Sequence, residues 1–470
     1  MPRSHPSPGR VVILGAGPCG LACADELRRL GHREWLLLEA ASTPGGLASS
    51  VVDPAGFTWD LGGHVVFSHF GEFDKLLSGL FAPEELLHHD RSSFIRFRDQ
   101  WVPYPFQQHL HCLPADDAEE CLRHLALACR QQREAHPAGT DFATWLQATY
   151  GSALVNRFFG PYNTKVWSTS PERMSASWVA ERVAPVDLDE VLAAFSGTAR
   201  PRRWGPNATF AFPARGGTGE IWRRLAARLG PRLRTGTRAA AVDDTAKSVV
   251  LSGGERIPYD HLVVTAPLDQ LTDMVRTAPA GLLAAARRLR HTTVAMVGLG
   301  YQAPTVDRSS WLYFPQPDTP FYRATNFSKY APANVPRADT SAFSAWMTET
   351  SMTPGTHTDL PALIRACDQS LRRHGLVPDW APLASAHVEM VPYAYPVPTL
   401  GRDEALAELM PWMEARQIYP RGRFGTWRYE IGNMDHAVKM GLDVARRLVL
   451  GADELLLAAP QTATSPGSSS

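Results

Sequence analysis

Gly15, Gly17 and Gly20 stand in the order G-x-G-x-x-G within "RVVILGAGPCGLACADEL", between an apolar run and a helix-forming one. The chemistry of that spacing is one of binding. The first glycine allows a tight turn, the second lets main chain reach a pyrophosphate at a helix N-terminus, and the third brings helix against strand. Glu39, at the end of the next apolar run, is placed to accept from a ribose hydroxyl. A second glycine turn, Gly45 and Gly46 in "TPGGLASS", follows at once. Later, Gly432, Asn433 and Met434 in "YEIGNMDHAVKMG" open another helix whose free N–H groups could meet a flavin ring or ribityl chain. Either later glycine segment could equally be a plain turn. Together they favour FAD over a nicotinamide.

Other residues could do chemistry but are ambiguous singly. His64 follows Gly62 and Gly63 in "LGGHVVFSHF", where backbone can come close to a planar ligand; it is either a working imidazole or a loop residue whose main chain matters more. His88, His89, His109 and His111 have no matching cysteine or carboxylate spacing, so no metal centre is expected. Tyr104 and Phe106 in "QWVPYPFQQH" sit on a proline-stiffened segment, able to pack a core or stack on a base. Asn163, Trp167, Arg182 and Asn207 each lie beside a Gly or Pro turn. "FYRATNFSKYAP" reads as a strand carrying Arg323, either a solvent-dressed edge or the wall of an anion pocket.

The elements that must position these residues alternate in kind. Residues 10–39 form a βαβ unit, the start of an α/β fold. Residues 115–200 have few strand signals and a long helical period (Phe142, Trp145, Leu146, Tyr150, Leu154, Phe158) behind a Thr140/Asp141 cap. Strand signals return from 209 to 267, and 293–400 is rich in β-branched and aromatic runs broken by Pro, as in an antiparallel sheet. Lys+Arg and Asp+Glu both total 47, which removes any bulk charge for nucleic acid or an acidic membrane surface. The six Cys show no CxxC pairing, and no run approaches the roughly 18 apolar residues of a membrane span, so a reduced cytoplasmic protein is expected.

Taken together, "GGHVVFSH", "QWVPYPFQ", "PYNTKVW", "ERVA", "WGPNATFAFPARGGTG", "WLYFP", "PFYRAT", "YPVPTL" and "RGRFGTWRYEIGN" resemble the UDP-galactopyranose mutases, in their eukaryotic-type branch. The resemblance implies a Rossmann-like FAD-binding domain assembled from 8–85, 209–292 and 421–456. It adds a helical domain at 112–208 and a six-stranded antiparallel sheet from 86–111 and 293–420, with disordered tails at 1–7 and 459–470. It implies reduced FAD acting through N5 as a nucleophile on the anomeric carbon of a nucleoside-diphosphate hexose, with no net oxidation. Arg182 and Arg323 then correspond to diphosphate arginines. Tyr313, Tyr330, Tyr395 and Tyr429 correspond to phosphate contacts, Tyr104, Phe106, Gln107, Asn163 and Trp167 to the nucleotide pocket, Asn207 to a flap, and His64 to the loop beside the flavin. Val242 and Gly425 join the glycines as cofactor contacts. NAD(P)H is implied as reductant; with no second dinucleotide fingerprint, it would share the cleft. A homo-oligomer is left open.

The chain departs from the family pattern in a short segment after Tyr330, in "QQHLHCL", and at Asn326, where an apolar residue is typical. Asn326 is therefore expected to bear on substrate choice, with a GDP-hexose as the alternative to UDP-galactose. The rival reading is an amine-oxidase-type flavoenzyme, whose domains are organised alike.

Overall fold

The computed structural model describes residues 9–131, 139–179, 182–198 and 204–458. The expected disordered tails lie outside the described residues.

Five short strands form a parallel sheet in the order Ile418–Pro420, His261–Val264, Val11–Leu14, Trp35–Leu38, Leu233–Arg234. Val11 to Leu14 are all buried because the sheet is covered on both faces. Val11 and Ile13 face the helices Pro18–Arg29 and Met434–Leu450, while Val12 and Leu14 face the other core with the meander Ala239–Asp243, Ser248–Leu251 and Arg256–Pro258. The helix Pro18–Arg29 starts at Gly17 without a side-chain cap and ends at Leu30, just before Gly31, as the sequence predicts.

The second sheet differs from expectation. It has seven strands and is mixed, in the order Leu383–Val397, Arg290–Tyr301, Ser344–Met352, Arg323–Asn326, Trp311–Tyr313, Ser93–Phe97, Gln100–Pro103. Every neighbouring pair is antiparallel except Trp311–Tyr313 with Ser93–Phe97, which run parallel. The extra strand and the parallel pair escape periodicity because Trp311–Tyr313 is too short to show alternation and joins a hairpin from far upstream. The strand read in "FYRATNFSKYAP" is also shorter than its sequence suggests. It stops at Asn326, and a 3₁₀ turn covers Phe327–Lys329.

Two local devices aim the polar segments at the space between the sheets. The hairpin Ser50–Val52/Thr58–Asp60 lays Phe57 and Trp59 on Gly300 and Gly298, where an added Cβ would fall 2.5 Å and 2.6 Å from those rings. This close approach fixes the Leu61–His64 segment that follows. In the helical region, Asp141 caps Phe142–Leu154 by accepting from Thr144 N, and a π-turn at Val155–Phe159 joins it to Gly160–Trp167. Among the described residues no helix is long and apolar enough to cross a membrane.

Candidate active site

A cavity of about 320 Å³ opens between the Leu61–Phe67 loop, the helical region, the mixed sheet and the N-terminus of Met434–Leu450. Its wall includes Gly62, Gly63, His64, Tyr104, Gln107, Asn163, Trp167, Arg182, Asn207, Tyr313, Arg323, Tyr395, Tyr429, Asn433 and Met434. These expected site residues come from far-apart segments and meet here.

Three guanidinium groups face this space. Arg323 binds Glu349 through Nε and Nη2, each 2.8 Å from a carboxylate oxygen, because the two residues are register partners on adjacent strands. Glu349, 2% exposed, also accepts from Tyr322 Oη at 2.6 Å and Gly63 N at 2.9 Å. Burial opposes its ionisation, but the Arg323 charge and these donors outweigh burial and hold the carboxyl below its ordinary value. Arg323 Nη1 makes no hydrogen bond to any described residue.

Arg182 is held otherwise. It donates to Glu430 O at 2.7 Å and Asn433 Oδ1 at 2.8 Å, and stacks over the Tyr429 ring at 5.3 Å. Arg423 donates to Gly432 O at 2.8 Å and Ala394 O at 3.2 Å, and burial lowers it from the usual guanidinium value. Among the described residues neither Arg182 nor Arg423 has a carboxylate partner. Two half-buried cations met only by dipoles make a site that favours an anion.

Phenolic hydroxyls surround the arginines. Burial raises Tyr104, Tyr162 and Tyr313, and pushes Tyr395 up to about 12, so each stays a neutral donor across the physiological range. Trp311 Nε1 donates to Tyr313 Oη at 2.7 Å, and Tyr322 Oη lies 3.2 Å from Tyr395 Oη. Trp167 packs edge-on against Tyr429, with centroids 4.8 Å apart, and Asn163 ties Phe159 O to Trp167 Nε1. Arg91 bonds Asn207 Oδ1 and Trp204 O and lies 4.9 Å over the Tyr104 ring, so it fastens the Asn207 segment to the cavity wall.

His64 is on the wall, and its Nδ1 is buried without a hydrogen-bond partner among the described residues. Burial, then the nearby Arg423, pushes its pKa down to about 4, so at neutral pH the ring is uncharged. The linkage sign follows. Between about 4 and the unfolded value of 6.5 the unfolded chain binds more protons, so this contribution to stability is present above 6.5 and is lost as pH falls through that window. An NMR titration is therefore expected to show the His64 ring resonances flat from pH 8 to pH 6, moving only below about 5; a midpoint near 6.5 would contradict the burial argument.

On the same wall, Asp435 bridges loop and helix. Its Oδ2 accepts from His69 N at 2.9 Å and lies 2.7 Å from His69 Nδ1, while its Oδ1 accepts from His436 N at 2.9 Å and lies 3.2 Å from His436 Nδ1. Despite burial, these bonds hold the Asp435 carboxyl far below its ordinary value. The three side chains also form the one group among the described residues with metal-ligand spacing. With both carboxylate oxygens occupied by imidazole and amide partners, the arrangement is a hydrogen-bonded relay tying the His64 loop to the helix N-terminus.

Some expected residues lie elsewhere. Phe106 turns into the helical core and stacks on Phe158 with centroids 4.8 Å apart. Tyr330 is fully buried among Phe210, Phe212 and Phe327, its hydroxyl unpartnered among the described residues. Asn326 does not reach the cavity. Alternation along its strand sends Arg323 and Thr325 toward Gly63, whereas Asn326 bonds Thr305 Oγ1, Asp307 O and Ser328 Oγ. The expectation that Asn326 bears on substrate choice is replaced by a structural role, a clamp on the 305–307 loop. Asn326→Leu is expected to cost stability, about 1–3 kcal/mol by thermal unfolding, and to leave the preference between nucleotides unchanged; an altered UDP/GDP preference would return it to the site.

Sequence reasoning missed Arg423, Glu349, Tyr322 and Tyr162. Arg423 sits within the quoted "RGRFGTWRYEIGN", but its neighbour Arg421 turns the other way, onto Glu414 and Glu454, and nothing in the spacing separates the two.

The dinucleotide residues form a second zone. The Glu39 carboxylate accepts from Ala16 N at 2.6 Å and Ala41 N at 2.8 Å, bracing the first glycine turn. Gly45 N donates to Ala16 O, and a Cβ on Gly46 would come within 3.2 Å of Gly17 Cα. A Cβ on Gly20 would lie 1.9 Å from Gly15 O. The uncapped helix N-terminus at Gly17, flanked by backbone that no side chain can enter, fits a pyrophosphate. Gly425 packs against Val264 O and Gly432 against Arg423, and Val242 lies in the core with its carbonyl taken by Arg276 N.

The family model of flavin containing amine oxidoreductase matches residues 18–449. A crystal structure of reduced UDP-galactopyranose mutase is similar at 37% identity, with 96% of each chain covered and a TM-score of 0.91. Cyclohexylamine oxidase from Brevibacterium oxydans and putrescine oxidase bound to putrescine share the fold at 17% identity. The first has a TM-score of 0.67 and the second 0.66, each over 94% of this chain and 99% of the other.

Proposed function

The chain belongs to the flavin-containing amine oxidoreductases and, within them, to the UDP-galactopyranose mutases, and from that membership we propose that its cavity isomerises a nucleoside-diphosphate hexose between pyranose and furanose forms. UDP-galactose is the substrate this reading names. The observation that carries it is the pair of half-buried arginines, Arg182 and Arg423, without carboxylate partners among the described residues, beside Arg323 on the same wall. Such a wall binds a diphosphate by charge-assisted, bidentate contacts.

The Gly15–Gly20 turn, Glu39 and Gly45–Gly46 would hold FAD, together with Gly62–His64 and Asn433–Met434. When bound and reduced the flavin supplies a nucleophilic ring nitrogen for the anomeric carbon. The protein's own residues do the rest. The arginines hold the departing diphosphate close enough to return, the tyrosine hydroxyls donate to its oxygens, and Arg91 with Asn207 keeps water out. Tyr104, Gln107, Asn163 and Trp167 take the nucleoside. Among the described residues of the wall no acid/base pair is poised at neutral pH, consistent with covalent work left to the cofactor.

An amine oxidase would present a different wall. A cationic amine gains nothing from three guanidinium groups, and both carboxylates on the wall, Glu349 and Asp435, are already committed. The test is anaerobic incubation of dithionite-reduced protein with UDP-galactopyranose and, separately, UDP-galactofuranose, followed by chromatography. Interconversion in both directions is expected; none with these or with GDP-hexoses would overturn the proposal. Stopped-flow bleaching of the flavin with NADPH against NADH identifies the reductant, for which we propose NADPH entering the same cleft.

A further inference from the structure

The three arginines of the cavity wall are held in two ways. Arg182 and Arg423 rest on backbone carbonyls and, for Arg182, on the Asn433 amide, so their charge faces the cavity undiminished. Arg323 brings its own counter-charge. The register of neighbouring strands sets Glu349 against it, and of the two side chains the arginine is the more open, 21% exposed against 2% for the glutamate.

Two features allow that counter-charge to be shared with a ligand. Arg323 Nη1 is left over from the pairing, so a phosphate oxygen can reach the guanidinium while Nε and Nη2 stay on Glu349. Tyr322 Oη at 2.6 Å and Gly63 N at 2.9 Å also donate to the carboxylate, so it keeps partners when an anion draws Arg323 toward the cavity. Three uncompensated guanidinium groups would grip a diphosphate equally before and during reaction, and such uniform binding delays departure without speeding chemistry. A carboxylate competing for one of those cations loosens the grip. We infer that Glu349 is a positioning residue which, acting through Arg323, limits how tightly the wall holds the diphosphate, so that the nucleotide is retained during reaction and released after it. This rests on the mutase reading of the cavity.

Calorimetric titration of the oxidised FAD-bound protein with UDP, and with GDP in parallel, tests the inference. The wild type is expected to bind one of them, Glu349→Gln to bind it about tenfold more tightly, and Glu349→Asp, which retains the charge, to stay within about threefold of the wild type. In steady state Glu349→Gln should lower KM and kcat together, because a tighter hold delays release. Mere disordering of Arg323 would raise Kd and KM instead. Tyr322→Phe removes one of the carboxylate's other donors with little change of shape and leaves Glu349 leaning harder on Arg323. That variant should bind the nucleotide about threefold more weakly, and it decides the matter where Glu349→Gln does not fold. Unchanged or weaker binding by Glu349→Gln overturns the inference and leaves the mutase reading standing, as does unchanged or tighter binding by Tyr322→Phe. A wild type that binds neither nucleotide overturns both.

Discussion

Replacing Arg323 with alanine is expected to lower kcat/KM for the nucleotide sugar by roughly tenfold to a hundredfold, with KM raised and kcat reduced together. One charge-assisted hydrogen bond to a desolvated group is worth about 1.5–3 kcal/mol, and each 1.4 kcal/mol is a factor of ten. A second cost comes from Glu349, which the substitution leaves buried without its cation. Breaking a buried pair by removing one partner costs about 3–5 kcal/mol of stability. The two effects separate in the double variant. Arg323→Ala with Glu349→Gln should regain most of the thermal stability lost, because a neutral amide needs no counter-charge, yet should stay catalytically poor. Steady-state kinetics and thermal melts on both variants decide this. If the double variant recovered activity along with stability, Arg323 would be a structural partner of Glu349 and no diphosphate ligand.

Gly20→Ala is expected to yield protein that no longer retains its flavin. The added Cβ would lie 1.9 Å from Gly15 O and 3.1 Å from Gly15 C, both backbone atoms of the turn on which the pyrophosphate is to rest. No side-chain rotation relieves that contact, so the helix Pro18–Arg29 must move off the strand Val11–Leu14. Overpacking of this kind costs about 1–3 kcal/mol, and here the displaced element is the anion-binding helix N-terminus itself. Gly31→Ala is the control. Gly31 has φ +77° at the end of the same helix and nothing within 4 Å of an added Cβ, so that variant should lose some stability and keep its colour. Visible absorbance of the purified variants, followed by FAD titration of the apoprotein, reads the difference; normal retention by Gly20→Ala would move the dinucleotide site away from this turn.

What could be read in the sequence was what is local. The βαβ unit, the cap at Asp141 and the helical insertion rest on periodicity and capping within short windows, and the structure has them. The motif set led to the family because its pieces had to occur together. Register between distant strands was not legible. That Arg323 faces Glu349 depends on pairing Arg323–Asn326 with Ser344–Met352, and no single-strand pattern encodes it. Side-chain direction after a turn was equally hidden. Phe106 and Tyr330 each adjoin a 3₁₀ turn that rotates the ring into a core, so motif position alone put them on the cavity. The cationic wall needed Arg423, whose spacing in the sequence does not distinguish it from Arg421.

The claim of a redox-neutral isomerase that needs its flavin reduced is tested most directly by counting electrons against turnovers. Protein given one two-electron equivalent of dithionite per flavin, sealed from oxygen, is mixed with excess UDP-galactofuranose, and product and flavin absorbance are followed together. Many turnovers per equivalent, with the flavin still bleached at the end and no activity before reduction, is the predicted result. Activity in the oxidised state, or product formed only in step with reoxidation of the flavin, would contradict it.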